Sequence, residues 1–394
     1  MVADQRERAL SASASMEPSL TYSVPLSEEI ADDILLRVRP NERELARTMR
    51  KKAKKKLRVI MLADETLLPA GDLKDYSEKQ RELRKTEFDV RDAIETLGHE
   101  VFSIGVSDDL STIRGAIDAH KPHIAFNLVE EFGGVAHFDQ HVVSYLELRK
   151  QAYTGCSPRG LTLARDKALT KKILAYHGLQ VPEFAVFAKR RAMKRPAGLA
   201  FPLFVKSLTE EGSAGISGAS IVHDDAKLKE RVAFIHRTTN STALVEQFID
   251  GREIYVGVMG NDRVTVLPPW ELAMTKREDG APLIASDRAK WDPEYQRQLG
   301  LKTGPARLSK RMQAKLADLS KEIYRLLGMS GYARLDYRVT EDDNAYLLEA
   351  NPNPQIAKDE DFALSAKHVG IEYPALIEQL IGFGMKYVST RTIA

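Results

Sequence analysis

A chain of 394 residues is too long for one ordinary hydrophobic core, because domains divide at roughly 100–200 residues. The net charge of +2 and the 43% hydrophobic content exclude wholesale disorder and give no support for a nucleic acid or membrane partner. The single cysteine, Cys156, excludes a disulfide framework and a cysteine-based metal cluster. The sequence has no secretory signal and no long apolar span, so we expect a cytoplasmic protein.

The N-terminal part of the sequence is polar and basic and differs from the rest. Residues 1–26 are predicted to be flexible, and residues 27–56 have the pattern of a helix. This helix ends in the basic run RKKAKKK at 50–56. Two interpretations remain open: a patch for an anionic partner, or a solvated helix end whose cations face the helix dipole. We treat residues 1–56 as an N-terminal extension.

Ordered α/β structure is predicted from Leu57 onwards. Strands are predicted at 57–62, 99–106 and 123–129, with helices at 78–97 and 109–119 between them. This order predicts a doubly wound parallel sheet with right-handed crossovers. Ligands of such sheets bind beyond the carboxyl ends of the strands, so the loop 130–140 is expected to face a ligand.

The remaining sequence is predicted to mix strands and helices. Helices are expected at 165–177 and 307–328, and strands at 184–187, 202–207, 243–249, 253–260, 332–339 and 345–351. The dipeptide Asp250-Gly251 predicts a β-hairpin between 243–249 and 253–260. The polar turn 340–344 predicts that the last two strands pair with each other.

Two carboxylates and an amide are concentrated on the last two predicted strands. Side-chain alternation groups Arg334, Asp336 and Arg338 on one face of the first strand, and Leu347, Glu349 and Asn351 on one face of the second. If the strands pair, Asp336 and Glu349 lie side by side and need a cation or a shared proton. One interpretation is Mg²⁺ held by these carboxylates and Asn351. The other is a solvated sheet face on which the carboxylates pair with the two arginines.

A glycine-rich segment, SLTEEGSAGISGAS at 207–220, directly follows Lys206. Its glycines permit positive φ and close backbone approach, so its N–H groups suit a phosphate, although a surface turn explains the same composition. Four further charged residues each fit a solvated charge when taken singly: Lys167, Glu246, Glu253 and Lys290.

Six segments occur in one order along the chain: DKALTKKILAYHGLQVP (166–182), FPLFVKSLTEEGSAGIS (201–217), LVEQFIDGREIYVGVM (244–259), RAKW (288–291), ARLDYRV (333–339) and LLEANPNP (347–354). Together they resemble the ATP-grasp superfamily and, within it, the D-alanine–D-alanine ligases, over about residues 57–385. The resemblance implies an α/β (α+β ATP-grasp) fold, in which an N-terminal doubly wound parallel sheet precedes two α+β subdomains that clamp ATP. The implied domains are 57–155, 156–245 with the glycine-rich lid, and 246–394 with the metal site.

The resemblance assigns ATP binding to Lys167, Lys206, Glu211, Gly212, Ser213, Glu246, Gln247, Ile249, Glu253 and Lys290. Lys167 and Lys206 would hold the α- and β-phosphates, and Lys290 would meet the γ-phosphate. The hinge at 246–249 would receive adenine, and Glu253 would accept hydrogen bonds from the ribose hydroxyls. The loop 209–217 would cover the phosphates as a lid.

The resemblance also implies a metal site and a reaction. Asp336, Glu349 and Asn351 match magnesium ligands, for two ions, with Mn²⁺ as an alternative. Arg334, Lys290 and Ser213 match catalytic residues, with Arg334 steadying an anionic tetrahedral intermediate. A substrate carboxylate would attack the γ-phosphate of ATP, and an amine would then replace phosphate on the acyl carbon. Related ligases are commonly dimers, so a homodimer is also implied.

The sequence departs from these ligases at the substrate end. Gln355 stands where they have a glycine, Gln247 where they have a lysine, and Glu130 where they have a histidine. The segment 356–366 replaces their serine-rich stretch and offers Lys358 to a carboxylate. We therefore expect an amide- or peptide-forming ligase for an amino acid or peptide, with Glu130, Gln355 and Lys358 as substrate residues. The alternatives are a phosphotransferase or carboxylase on the same scaffold, and a nucleotide-binding protein without turnover.

Overall fold

The computed structural model describes residues 56–68, 71, 76–209, 215–276 and 293–387. Several predicted segments lie outside these residues: the polar segment 1–26, all but the last residue of the predicted helix 27–56, residues 210–214 of the lid, and RAKW at 288–291. The described residues form three sheets, which correspond to successive parts of the chain.

The strands, in chain order, are β1 (Arg58–Asp64), β2 (Glu100–Val106), β3 (Ile124–Asn127), β4 (Phe184–Phe187), β5 (Leu203–Ser207), β6 (Ile221–Val222), β7 (Ala243–Gln247), β8 (Arg252–Gly260), β9 (Val264–Val266), β10 (Trp270–Met274), β11 (Leu301–Pro305), β12 (Tyr332–Val339) and β13 (Ala345–Pro352). The α-helices are α1 (Glu78–Leu83), α2 (Lys85–Thr96), α3 (Leu110–His120), α4 (Asp139–Leu148), α5 (Pro158–Arg165), α6 (Lys167–Tyr176), α7 (Asp225–Thr238), α8 (Pro293–Leu299), α9 (Lys310–Leu326), α10 (Asp361–His368) and α11 (Tyr373–Lys386).

The first sheet is parallel, with strand order β2-β1-β3, which confirms the predicted doubly wound arrangement. Successive residues of β1 pack into different cores on the two faces. Val59 and Met61 pack in a core that includes residues of α2 and α11, whereas Ile60 and Leu62 pack in a core that includes Ile113 of α3. Both faces are therefore covered, which explains why this strand is a continuous apolar run.

Two predicted helices are each divided in the structure. The predicted helix 78–97 breaks at Arg84, whose φ of −111° and ψ of 11° separate α1 from α2. The predicted helix 165–177 was wrong in its start, because the chain leaves helical geometry at Asp166. The Asp166 carboxylate accepts hydrogen bonds from the N–H groups of Ala168 and Leu169, at 3.0 and 2.9 Å. With Asp166 as its N-cap, a new helix, α6, begins at Lys167.

The second sheet is antiparallel, with strand order β4-β7-β5-β6. Helix α7 packs on it, and its buried Leu228, Val232 and Ile235 share a core with Leu203 and Val205 of β5. Lys206 and Glu246 are also buried on this sheet, on β5 and β7. The sheet thus carries a small apolar core on one side and buried charges directed away from that core.

The third sheet has the strand order β11-β10-β8-β12-β13, with β9 on β8, and it corrects the hairpin prediction. β7 pairs with β4 and β5, whereas β8 pairs with β10 and β12, so Asp250-Gly251 joins two sheets rather than two paired strands. Gly251 has a φ of 146°, and a Cβ there would lie 2.4 Å from the Val339 carbonyl oxygen. The glycine therefore serves a close backbone approach at a crossover.

β12 and β13 pair through the 340–344 turn, as predicted, with Asp336 opposite Glu349. The register then shifts, because Tyr337 lies opposite Leu347 and leaves one extra residue on β13. This bulge turns Leu347 towards the core, where it is 2% exposed, whereas Glu349 and Asn351 stay partly exposed. The predicted face shared by Leu347, Glu349 and Asn351 was therefore wrong for Leu347 alone.

Candidate functional site

The two carboxylates on β12 and β13 lie within a network of cationic and amide groups. The Arg334 guanidinium donates to both oxygens of Asp336, at 2.8 and 2.9 Å. The Asn351 side-chain amide also donates to Asp336, at 2.9 Å. Arg334 is itself placed over the ring of Tyr255, 4.7 Å from the centroid. The structure thus brings together Asp336, Asn351 and Arg334, and it contains the Arg334–Asp336 pair that the second interpretation of this sheet face predicted.

Glu349, the second carboxylate, is bound by a lysine from a distant part of the chain. Lys167 is 4% exposed, and its Nζ lies 2.9 Å from Glu349 Oε1. The N-cap at Asp166 sets the start of α6 and so the direction from which Lys167 reaches β13. A predicted phosphate-binding lysine and a predicted metal ligand are therefore in direct contact.

A second charge cluster lies on the four-stranded sheet, around Glu246. Its two oxygens contact Lys171 Nζ at 2.9 Å and Lys206 Nζ at 3.0 Å. Burial alone would raise the pKa of Glu246, but the two lysines outweigh burial and hold that pKa below its ordinary value. Two ammonium groups around one carboxylate leave the cluster with more cations than anions, which suits a phosphate ligand.

Lys171 is a member of this cluster that the sequence analysis missed. It is 1% exposed, and its Nζ also donates to the carbonyl of Leu348 on β13, at 3.1 Å. Burial lowers the pKa of Lys171, and Glu246 offsets only part of that effect. Lys171 stands four residues after Lys167, so both lie on one face of α6. That spacing was the available signal.

Glu253, predicted to meet the ribose, is buried at the start of β8 and already has two partners. Tyr255 donates its hydroxyl hydrogen bond to Glu253 at 2.9 Å, and Arg338 donates at 3.0 Å. Burial, then the Glu253 and Asp336 carboxylates, raise the pKa of Tyr255 well above its ordinary value. The phenol therefore stays protonated and acts as a donor to Glu253.

The segment predicted to receive adenine lies between the second and third sheets. Gln247 ends β7 with an exposed side chain, and its N–H donates to the carbonyl of Glu183 at 2.7 Å. Ile249 is 8% exposed and Glu246 is 2% exposed. Glu246 therefore contacts Lys206, a predicted phosphate-binding lysine, while Gln247 is the last residue of β7 and Ile249 lies in the crossover that follows.

Four of the predicted site residues lie outside the described residues: Glu211, Gly212, Ser213 and Lys290. Strands β5 and β6, which flank Glu211, Gly212 and Ser213 in the sequence, are described. Lys206, on β5 before the predicted lid, is described too.

Two of the three predicted substrate residues line one cavity. Glu130 and Gln355 both line a space between the end of β3, the start of α2 and the chain after β13. Lys358 lies elsewhere, with its Nζ 3.3 Å from Asp89 of α2 and its side chain 65% exposed. Thr86 and Glu87 line the same cavity, and the sequence analysis had no signal for them.

The carboxylate pair fits a divalent metal by its donor chemistry. Asp336, Glu349 and Asn351 offer carboxylate and amide oxygens, which are hard donors suited to Mg²⁺. Their present partners are two cations and an amide N–H, so the site already accommodates positive charge. Across the part of the chain that the structure describes, no three His, Cys, Asp or Glu side chains group into a metal site. A metal here would therefore depend on the Asn351 oxygen.

Arg334 keeps its positive charge in this environment. Its burial alone would lower its pKa, but the Asp336 carboxylate outweighs burial and raises that pKa above its ordinary value.

None of the helices among the described residues has the length and apolar content that crossing a bilayer requires.

Sequence comparison finds related proteins over most of the chain. The family described as D-ala D-ala ligase C-terminus matches residues 173–382. The D-alanine–D-alanine ligase of Nitratidesulfovibrio vulgaris strain DP4 is 32% identical over 296 residues, which cover 75% of this chain and 91% of that ligase. The uncharacterized protein y4sG of Sinorhizobium fredii is 32% identical over 295 residues, or 73% of this chain and 84% of y4sG.

Structural comparison identifies the same fold. The D-alanine–D-alanine ligase of Bacillus anthracis, solved in complex with ATP, superposes with a TM-score of 0.64 at 21% sequence identity. The match covers 84% of this chain and 97% of that ligase. The three described sheets therefore have the ATP-grasp arrangement that the sequence predicted.

Proposed function

The chain belongs to the D-alanine–D-alanine ligase family of ATP-grasp enzymes, and we propose that it joins a carboxylate to an amine at an altered amino-acid site. Family membership makes it an ATP-dependent ligase that acts on small amino-acid substrates. The observation that carries the proposal is the contact of Lys167 with Glu349, opposite Asp336. This contact joins a phosphate-type lysine to the carboxylate pair.

ATP phosphates would bind at the lysine clusters. Lys171 and Lys206 carry more positive charge than Glu246 neutralises, and Lys167 lies beside Glu349. The lid residues Glu211, Gly212 and Ser213, together with Lys290, would complete the phosphate contacts, as the family resemblance implies. Gln247, Ile249 and Glu253 would receive the nucleoside, with Tyr255 and Arg338 holding the Glu253 carboxylate in place.

Asp336, Glu349 and Asn351 would hold one or two magnesium ions, or Mn²⁺, against the phosphates. When bound, such an ion would neutralise charge on the phosphates during transfer. Without it, Lys167 and Arg334 balance the two carboxylates, so these side chains are already held near each other. This prior positioning lowers the reorganisation needed when ATP binds.

The proposed chemistry has two steps. The substrate carboxylate attacks the γ-phosphorus and releases ADP, which leaves an acyl phosphate. The amine then attacks the acyl carbon, phosphate leaves, and the nitrogen loses a proton. Arg334, whose guanidinium stays charged beside Asp336, would stabilise the negative charge of the tetrahedral intermediate.

The amino-acid end supports a substrate other than a D-alanine pair. Glu130 and Gln355 line one cavity, and both differ from the residues typical of the D-alanine ligases. Lys358 would reach a substrate carboxylate only by leaving Asp89.

We further propose that the protein is a cytoplasmic homodimer without nucleic acid or membrane partners. We also propose that its domains are 57–155, 156–245 and 246–394.

The test is a screen for ADP release with pairs of amino acids, followed by mass analysis of the products. The proposed function requires ADP, phosphate and a new amide in equal amounts. A stable phosphorylated product would instead identify a phosphotransferase. An enzyme that binds ATP and releases no ADP with any pair would be a nucleotide-binding protein without turnover.

A further inference from the structure

Lys171 of α6 contacts both the second sheet and the third sheet. Its Nζ lies 2.9 Å from Oε1 of Glu246 on β7. The same Nζ donates to the backbone carbonyls of Leu348 and Leu347 on β13, at 3.1 and 3.4 Å. One side chain therefore joins the strand that leads into the proposed adenine segment to the strand that carries two of the proposed metal ligands.

The ammonium group of Lys171 is fully used by the protein itself. A lysine ammonium has three N–H donors, and the three oxygens of Glu246, Leu347 and Leu348 match that number. The residue is also 1% exposed. Lys206 differs, because its Nζ has one described contact, at 3.0 Å from the other oxygen of Glu246. Of the two lysines at Glu246, Lys206 is therefore the one that can turn a donor to a phosphate.

The carbonyls that Lys171 binds belong to the bulge of β13. The register with β12 leaves Leu348 as the extra residue of that bulge. A bulged residue is left out of the ladder, so its polar groups need other partners. Lys171 supplies one for Leu348, and the N–H of Leu347 donates to the carbonyl of Gln180, after α6, at 3.0 Å. Contacts from α6 and the chain after it therefore hold the bulge directly before Glu349.

Lys167, one turn earlier on the same helix, makes the neighbouring contact on β13. Its Nζ lies 2.9 Å from the carboxylate of Glu349, whereas Lys171 binds the backbone of the residue before it. The i, i+4 spacing places both lysines on one face of α6. The helix thus holds a side chain and the adjacent backbone of the same strand.

We propose that Lys171 is a positioning residue that holds the Glu246 carboxylate and the bulge of β13 in one arrangement, without contacting the nucleotide. It keeps the proposed adenine segment and the proposed metal strand at a fixed distance from each other. Lys171 then adds positive charge to the cluster, and Lys206 makes the phosphate contact. This inference rests on the proposed function for nucleotide binding and on the contacts of Lys171 for the positioning.

The first experiment measures hydrogen–deuterium exchange without any ligand. In Lys171→Met the β13 carbonyls lose their charged donor, so exchange in the peptide covering Ala345–Pro352 should accelerate about tenfold or more. This factor should exceed the one for the peptide covering Arg58–Asp64 of the first sheet. Lys172→Met is the matched control, because Lys172 is the next residue of α6 and is exposed. Both peptides should exchange in that variant as in wild type.

Two results of the exchange experiment would overturn the inference. One is an unchanged rate in the β13 peptide of Lys171→Met. The other is an equal acceleration in both peptides, which would show a general loss of stability. If Lys171→Met alone does not fold, Lys171→Met with Glu246→Gln is compared with Glu246→Gln, because removing both charges of a buried pair costs less than removing one. The same acceleration on β13 is expected in that comparison.

The second experiment separates positioning from phosphate contact. The Kd values of adenosine and ADP are measured by isothermal titration calorimetry. Lys171→Met should raise both values by the same factor, about tenfold, because the Glu246 carboxylate loses the group that holds it. Lys206→Met should raise the Kd of ADP about tenfold or more beyond any change for adenosine, because it removes a charged donor to phosphate. Lys172→Met should change neither value.

The binding experiment has two contrary outcomes. If Lys171→Met weakens ADP binding by about tenfold more than adenosine binding, the loss of a charged hydrogen bond identifies Lys171 as a phosphate ligand and overturns the inference. An unchanged Kd for adenosine would show that Glu246 keeps its place without Lys171, and would overturn it as well.

The two proposals fail separately. If the wild-type protein binds neither adenosine nor ADP, the proposed function is wrong, and the exchange experiment still decides whether Lys171 holds β13. If both ligands bind and the β13 peptide of Lys171→Met exchanges as in wild type, the positioning role alone is wrong.

Discussion

The proposed nucleotide end and the proposed amino-acid end of this site differ in their charged groups. At the nucleotide end, Lys171 and Lys206 share the single carboxylate of Glu246. At the amino-acid end, Glu87 and Glu130 line a cavity whose described cation, Arg165, already binds Asp139. The lysines that surround Glu246 suit phosphate, whereas the cavity at the other end is lined by two carboxylates and one guanidinium.

The contrast also separates what the reaction requires from what the substrate requires. Every ligase of this type must position a triphosphate, so lysines and carboxylates at the nucleotide end keep their order along the chain. The amino-acid end has only to match one pair of substrates, so Gln355 and Glu130 differ there. Variants at the two ends should therefore change different quantities, and the predictions below begin with the largest effect.

Removing the carboxylate of Glu246 should destabilise the protein most. Glu246→Ala leaves Lys171 and Lys206 buried without their shared partner, so the free energy of unfolding should fall by about 3–5 kcal/mol. Denaturant titration measures this change. A loss below about 1 kcal/mol would show that the lysines do not depend on Glu246, and that the charge cluster is not a structural unit.

Removing the charge of Asp336 should reduce turnover by about a hundredfold to a thousandfold, because charge stabilisation in the transition state depends on it. The rate of ADP release measures this effect. Asp318→Asn on α9 is the control, since its side chain is 81% exposed and contacts Lys321 of the same helix. Turnover of Asp336→Asn within about twofold of wild type would contradict the proposed metal site.

The dependence of the unfolding free energy on acidic pH should test whether the pKa of Glu246 is lowered in the folded protein. Because the folded pKa of Glu246 lies below its ordinary value of 4.5, its stabilisation is fully present above that pH and is lost as pH falls through the folded pKa. Glu246→Gln should therefore lose less unfolding free energy than wild type between pH 5 and the acid transition. Parallel curves for the two proteins would show that the pKa of Glu246 is not lowered.

The exposed ion pair at the amino-acid end should contribute little. Lys358→Ala is expected to change the free energy of unfolding by about 0.5 kcal/mol or less, because its side chain is 65% exposed. The backbone N–H of residue 358 still donates to Asp89 in this variant. A large rise in the KM of an amino-acid substrate, with unchanged stability, would instead identify Lys358 as a substrate contact.

Much of the site could be predicted because its chemistry depends on local sequence. Period-two alternation and a polar turn were enough to pair Asp336 with Glu349, since neighbouring strands joined by a short turn pair in most proteins. The parallel sheet followed from apolar runs between helices. Lys171 could also have been found, because it stands one helical turn after Lys167.

Other features depend on contacts between distant segments and were not predictable. The bulge that turns Leu347 inwards depends on how β12 and β13 meet the core, and strand alternation cannot reveal it. The Asp250-Gly251 crossover has the same residues as a hairpin turn, and only the pairing of β7 and β8 with other strands distinguishes the two. Thr86 and Gln355 line one cavity only because α2 and the chain after β13 come together in the fold.

The most direct test compares ADP release by the wild-type protein with D-alanine alone and with a panel of other amino-acid pairs. We predict an amide product with at least one other pair, with one ADP formed for each amide bond. We also predict that D-alanine alone supports turnover well below rates typical of an enzyme. Turnover with D-alanine alone at about 1 s⁻¹ or faster would contradict an altered amino-acid end.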